Sequence, residues 1–333
     1  MCPDSLSIRS RPGSVPCPAA DAPRFDRPVA PNGYAWWYLD ALSDDGSEAL
    51  TVIAFVGSVF SPWYARARRQ GMADPMDHCA LNVALYRPRG RVWSFTERRR
   101  QQVGRDDAHF RIGPSSVAWK SGSLEIRVDE IAAPLPRRMR GHIRLTPDNI
   151  NARAFVLDSR GLHRWRPIAI DARVDVHLEE PSMRWSGRGY LDTNDGDRPL
   201  EADFIRWDWS RGSAAGRGSI LYDALRRDGT RHSFALEAGL DGQFKPTTMP
   251  NAAPLPSTLW GVARRTHADS GQAPKIAKTL EDTPFYARSL LSTHLLGAPM
   301  TAMHESLDLD RFRSRWVQLL LPFRAPRALA WGS

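Results

Sequence analysis

Two short segments of the chain carry reactive side chains at a spacing that strand geometry would turn into pairs. One residue separates His163 from Trp165, and one separates Tyr190 from Asp192. On a strand, residues i and i+2 point to the same face, about 7 Å apart along the chain. If both segments are strands, each sends a polar group and an aromatic into one space. That kit suits acid chemistry on an isolated carbon–carbon double bond. An acid delivers a proton to one carbon, the other carbon becomes a tertiary cation, aromatic faces stabilise the cation, and a base helps water attack it. Asp192 can supply the proton only while neutral. Lifting a carboxyl from its ordinary ~3.9 to near 7 costs about 4 kcal/mol, which burial among aromatics can impose. The same residues have a plainer reading. A histidine beside a tryptophan is more often a packed, hydrogen-bonded side chain, and Asp192 could cap the turn at Asn194-Asp195-Gly196.

The elements that must position these groups read as strands. Short alternating runs meet at turn residues in four hairpins: Tyr38–Leu42 with Leu50–Val56, Leu81–Tyr86 with Val92–Thr96, Val117–Lys120 with Leu124–Val128, and Leu221–Arg226 with His232–Glu237. Turn signals recur throughout, the pattern of sandwiches or barrels. Helical signals are few: Pro62–Gln70, and Leu307–Leu321 ended by Pro322. An α/β sheet would need helices between most strands. The expectation is therefore an all-β protein. Residues 1–24, rich in Pro, Ser and Ala, read as a disordered tail. Weak echoes, Tyr38-Leu39-Asp40 with Tyr190-Leu191-Asp192 among them, fit two β domains of similar build, at residues 25–180 and 181–325.

Composition narrows the function classes. The 333 residues carry a net charge of +9, almost wholly from scattered arginines, and no nucleic-acid-reading motif accompanies them. Nucleic acid is not an expected partner; an anionic membrane surface suits the same charge. No run approaches the roughly 20 apolar residues of a bilayer span, and the N-terminus lacks a signal-peptide pattern, so a cytoplasmic location is expected. Three cysteines show no metal spacing. Asp77, His78, His304 and Glu305 match no standard ligand pattern, and no phosphate-binding glycine loop is present, so neither metal nor cofactor is expected. Twelve tryptophans fit either a large β core or a wide aromatic-lined cavity. Trp36, Trp37 and Asp40 are expected to open the first barrel, and Trp207 and Trp209 to be structural, with Asp208 on the face opposite them. Trp316–Phe323 with its basic flanks reads equally as a packed terminal helix or a membrane-contacting surface.

Many motifs in order resemble the carotenoid 1,2-hydratases, also called hydroxyneurosporene synthases. They include Gly33-Tyr34-Ala35-Trp36-Trp37-Tyr38-Leu39-Asp40-Ala41, Phe60-Ser61-Pro62-Trp63-Tyr64, Asp77-His78-Cys79-Ala80-Leu81-Asn82 and Gly189-Tyr190-Leu191-Asp192. Trp207-Asp208-Trp209-Ser210 and Met303-His304-Glu305-Ser306-Leu307-Asp308 continue the series, which runs from about Phe25 to Phe323. The resemblance implies two lipocalin-like β domains and cofactor-free addition of water to the terminal 1,2 double bond of acyclic carotenoids such as neurosporene or lycopene, giving a tertiary alcohol. It also implies a catalytic His-x-Trp and Tyr-x-Asp pair, which His163 and Trp165, and Tyr190 and Asp192, match. The roles that follow are Asp192 as proton donor, Trp165 and Tyr190 as cation-stabilising or positioning aromatics, and His163 as base or water-orienting group. Peripheral contact with the membrane that holds the carotenoid is a further expectation. Two rivals stay open: a non-catalytic carrier of an apolar ligand, and a cyclase or isomerase on the same fold.

Overall fold

The computed structural model describes residues 22–133, 135–214, 217–239 and 243–328. Most of the expected N-terminal tail therefore lies outside the described residues. Strand accounts for 59% of the described residues and helix for 11%, the all-β architecture expected.

The first sheet is a near-continuous meander. Its strands are β1 (Tyr34–Ser43), β2 (Ala49–Val56), β3 (Cys79–Arg87), β4 (Gly90–Arg98), β5 (Val103–Arg105) and β6 (His109–Ile112), then β7 (Ser115–Lys120), β8 (Ser123–Ala132), β9 (Arg137–Pro147), β10 (Phe155–Val156), β11 (His163–Glu180) and β12 (Met183–Gly196). They pair in the order β4-β3-β2-β1-β12-β11-β9-β8-β7-β6-β5, with β10 on β11. A bridge between Trp93 of β4 and Ala133, just beyond β8, curls the sheet almost closed. The second sheet contains β13 (Phe204–Ala214), β14 (Arg217–Arg226), β15 (Arg231–Ala238), β16 (Phe244–Thr247), β19 (Lys275–Asp282), β20 (Tyr286–Leu295) and β21 (Ala298–Asp308); β17 (Asn251–Leu255) and β18 (Arg264–Ala268) form a separate hairpin. All four hairpins expected from the sequence are present, as β1/β2, β3/β4, β7/β8 and β14/β15. The expected junction after residue 180 falls in the β11–β12 turn, and β12 pairs with both β1 and β11 in the first sheet.

Period-two alternation gives the first sheet two apolar faces. Trp37, Leu39 and Ala41 of β1 turn inward onto Val52, Leu81, Val83, Val174 and Leu191, the core of the barrel. Tyr34, Trp36 and Tyr38 turn outward, and this second face packs against Trp207, Trp209 and Tyr222 of the other sheet. A barrel strand that is polar outside would end at solvent. Here the aromatic outer face needs a second sheet to cover it, and the cavity forms between the two.

Four α-helices lie among the described residues: α1 (Pro62–Gln70), α2 (Leu200–Asp203), α3 (Leu309–Arg313) and α4 (Arg315–Arg324). The first has the bounds expected, with Ser61 accepting from the backbone N–H groups of Trp63 and Tyr64. The C-terminal expectation needs correction. Residues Leu307 and Asp308 close β21, Asp308 caps α3 by accepting from the Arg311 N–H at 2.9 Å, and α4 continues through Pro322. Proline costs a helix one hydrogen bond, and in the last turn the Ala325 N–H closes back on the Leu321 carbonyl at 2.8 Å.

Candidate active site between the two sheets

Register sets the site. Asp192 of β12 lies opposite Tyr38 of β1, Tyr190 lies opposite Asp40, and Asn194 pairs with Trp165 of β11. All of these side chains leave the outer face of the barrel. The Trp165 indole N–H donates to Asp192 Oδ2 at 2.9 Å, and the Tyr190 hydroxyl donates to the same oxygen at 3.0 Å. Asp192 Oδ1 is buried and has no hydrogen-bond partner among the described residues. Burial pushes the Asp192 carboxyl up to about 8; the two donated bonds oppose this, and the nearby Glu305 and Asp40 carboxylates add to it. The carboxyl is thus neutral at pH 7. Oδ2 accepts twice, which leaves Oδ1 as the oxygen free to carry a proton.

Asp192 lines a cleft between the sheets. Trp36, Trp165, Trp207, Trp209 and Tyr222 are among its aromatic walls. Rings lie close to one another around the carboxyl: Trp165 to Tyr222 at 5.3 Å and Tyr190 to Trp209 at 5.3 Å between centroids. Such a wall offers π faces to a cation.

His163 is placed differently. It is fully buried and lies outside the cleft lining. Its Nε2–H donates to Asp203 Oδ2 at 2.9 Å, and its Nδ1 accepts from the Tyr34 hydroxyl at 2.9 Å. Burial lowers the imidazole below its ordinary 6.5, against the pull of Asp203. Gly196 makes this arrangement possible, since a Cβ there would stand 2.5 Å from the Tyr34 ring and 2.8 Å from His163 Nδ1. Trp165, Tyr190 and Asp192 meet in one hydrogen-bonded cluster, and His163 anchors the strand end beside it.

The opposite wall is polar. Glu305 of β21 pairs with Trp209 and Arg288 across the strands. Its Oε1 accepts from the Tyr38 hydroxyl at 2.7 Å and from Arg288 at 2.6 and 3.0 Å. Arg288 is itself buried, donating also to Thr51 and to the Tyr86 hydroxyl. Tyr86 donates onward to Glu281 at 2.6 Å, and Arg324 donates to Glu281 at 2.5 Å. None of this wall was given a catalytic role from the sequence, because its members sit on seven distant segments.

The sequence reading of the tryptophans also needs correction. Trp37 enters the barrel core as expected, but Trp36 lines the cleft. Trp207 and Trp209 share a face as expected, and that face is the cleft wall; Asp208 lies on the other side, accepting from Ser306 at 2.6 Å. His304 and Glu305, adjacent in sequence, point to opposite faces of β21: His304 Nδ1 meets Ser210 at 2.7 Å. His78 instead bonds Glu97 at 3.1 Å, so these histidines and acids do not converge.

A family model described as carotenoid hydratase CrtC matches residues 52–333. The acyclic carotenoid 1,2-hydratase of Thiocapsa roseopersicina is 52% identical over 309 residues, spanning 92% of this chain and 76% of that protein. The acyclic carotenoid 1,2-hydratase of Rubrivivax gelatinosus is 47% identical over 310 residues, with the same 92% and 76%. That of Cereibacter sphaeroides is 40% identical over 282 residues, 84% of this chain and 99% of that protein. Among solved structures, an AttH-like protein of Nitrosomonas europaea aligns with a TM-score of 0.57 at 13% identity, covering 86% of this chain and 99% of that one. CghA with Sch210972 aligns at 0.50 and 12% identity, covering 89% and 97%. These two lipocalin-like structures bear on fold alone.

Proposed function

This chain belongs to the carotenoid hydratase family, and from that membership we infer how its inter-sheet cleft adds water across the terminal 1,2 double bond of an acyclic carotenoid. The protein is a hydro-lyase, and its substrate is an acyclic carotenoid. The mechanism is our reading, and one observation carries it: a buried, neutral carboxyl that lines an aromatic-walled cleft, with its Oδ1 unpartnered among the described residues.

In this mechanism Asp192 Oδ1 gives its proton to C2 as the π pair forms the new C–H bond. C1 becomes a tertiary cation, and the faces of Trp165, Trp209 and Tyr222 stabilise it. Water donates a lone pair to C1 and sheds a proton, giving the tertiary alcohol; Asp192 regains its proton from water. The indole and phenol donors on Oδ2 hold the carboxyl in one rotamer and stabilise the carboxylate left behind. His163 acts as a positioning residue, fixing Tyr34, which stacks on Trp36 at 4.9 Å. A carrier would gain nothing from a neutral acid beside the ligand. An isomerase would use the same acid but add no water. Expression in lycopene-producing cells followed by pigment mass analysis separates the three: one added water supports hydration, an isomer of unchanged mass supports the isomerase, and unchanged pigment supports the carrier.

Peripheral membrane contact belongs to the same proposal. Among the described residues no helix is long and apolar enough to cross a membrane. On α4, however, Trp316, Leu319, Leu320 and Phe323 follow the i, i+3, i+4, i+7 spacing of one helical face, and that face is exposed, Phe323 at 83% and Leu319 at 74%. Trp260 stacks on Trp316 at 6.2 Å and Leu259 is fully exposed beside it. Arg313 and Arg315 flank the stripe. From the other side of the helix, Leu321 and Arg324 line the cleft. A helix that rests in the lipid surface and walls the cleft gives a water-insoluble substrate a route that avoids bulk water.

A further inference from the structure

The reaction needs a second proton acceptor, and His163 cannot reach the substrate: both ring nitrogens are engaged and it lies outside the cleft. We propose that Glu305 is the base that takes the proton from the attacking water, its Oε2 facing the carbocation across the cleft from Asp192. The proposal rests on the reading of Asp192 as the acid.

Three observations carry it. Glu305 lines the same cleft as Asp192, and its side chain keeps 21% exposure while its neighbours are buried. All the hydrogen bonds it accepts, from Tyr38 and twice from Arg288, end on Oε1. Among the described residues none ends on Oε2, which leaves that oxygen to accept from a water. The third is the asymmetry of the pair. Asp192 is held by two neutral donors with its other oxygen unpartnered, whereas Glu305 is held by a buried guanidinium that Thr51 and Tyr86 fix from behind. Two carboxyls in one cavity with such unlike partners divide into an acid and a base. Other acids of the molecule fit worse. Asp40 is sealed against Arg211 and Tyr38, and Glu281 is taken by Tyr86 and Arg324.

The step balances simply. The water oxygen forms the C1–O bond with its lone pair, an O–H bond breaks, and its proton goes to Glu305 Oε2. Over a turnover Glu305 releases this proton to cleft water and Asp192 takes one up, so the net change is one water added to one alkene.

Glu305→Gln in deuterated water tests the assignment. Asp192 can still deuterate C2, and its own carboxylate can take a proton back from the cation. Hydration is expected to fall at least ~10²-fold, the usual cost of a lost base, while deuterium still enters recovered substrate. Asp192→Asn abolishes both signals; should it keep them, the reading of Asp192 fails, independently of Glu305. If Glu305→Gln hydrates near the wild-type rate, or if a folded, pigment-binding Glu305→Gln loses exchange along with hydration, Glu305 is not the base. Should the Gln variant not fold, Glu305→Asp keeps the partner for Arg288 but withdraws the carboxylate. It is expected to lose hydration and keep exchange, and loss of neither or of both overturns the proposal.

Discussion

The indole N–H of Trp165 and the carboxyl of Asp192 form one hydrogen bond, 2.9 Å long, that ends on Oδ2 and leaves Oδ1 open. This bond gives Trp165 two duties. It offers a π face to the cleft, and it stabilises the carboxylate that remains once the proton has left. Trp165→Phe keeps most of the first and removes the second. Activity is expected to fall at least roughly 10-fold, in line with the ~1.5–3 kcal/mol of a hydrogen bond to a charged group. Because that bond favours the charged form, the Asp192 carboxyl should also rise, moving the alkaline limb of the pH–rate profile upward. A Phe variant with reduced rate and an unmoved limb would show that the tryptophan acts through its ring alone.

Asp192 should set the upper pH limit of activity and also cost the fold stability. The acid works only while protonated, so the rate is expected to decline as pH rises through about 8. The stability effect has a definite sign. Burial raises the folded carboxyl from 3.8 to about 8, so between those values the unfolded chain ionises and the folded one does not. Folding therefore loses stability as pH climbs from about 4 towards 8. Asp192→Asn removes this penalty and should be the more stable protein at pH 7, by on the order of 4 kcal/mol as an upper bound. The gain should shrink to near zero by pH 4. Denaturant unfolding of both proteins across this range checks it; an Asn variant no more stable at pH 7, or a difference independent of pH, would contradict the placement of a neutral carboxyl here.

The all-β class, the four hairpins and α1 were legible because alternation and turn chemistry are local signals. The Tyr190–Asp192 pair was legible for the same reason, since i and i+2 share a strand face once the strands are known; that Trp165 meets Asp192 across the strands was implied only by the family resemblance. What could not be read was the far wall. Glu305 meets Tyr38 across 267 residues and Arg288 meets Tyr86 across 202. Nor does the sequence say that the barrel's outer face is covered. Trp36, Trp207 and Trp209 look structural until a second sheet turns them into a cleft wall. His163 carried a motif but no hint that Tyr34 and Asp203 occupy both nitrogens. Pro322 misled because proline stops a helix interior far more reliably than its last turn.

The α4 stripe should govern membrane association without touching chemistry. Leu319→Glu with Phe323→Glu places two charges on exposed positions of the outward face. Binding to anionic vesicles is expected to weaken at least several-fold, and binding of the unaltered protein to fall as salt rises. Activity on detergent-dispersed carotenoid should remain near that of the unaltered protein, while activity on carotenoid held in vesicles drops. Vesicle co-sedimentation and the two assays decide it. Unchanged vesicle binding would remove α4 from the membrane surface.

The central claim is that Asp192 supplies the proton, and hydration by Asp192→Asn tests it most directly. Asparagine keeps the size of the side chain and an oxygen for the Trp165 and Tyr190 donors, but has no acidic proton to transfer. Hydration of lycopene, read as the gain of one water in the product mass, should fall by at least the ~10²-fold typical of lost acid catalysis, in a protein that remains folded and still binds pigment. A folded, pigment-binding Asn variant that hydrates at close to the wild-type rate would contradict the account, because the proton would then come from another group.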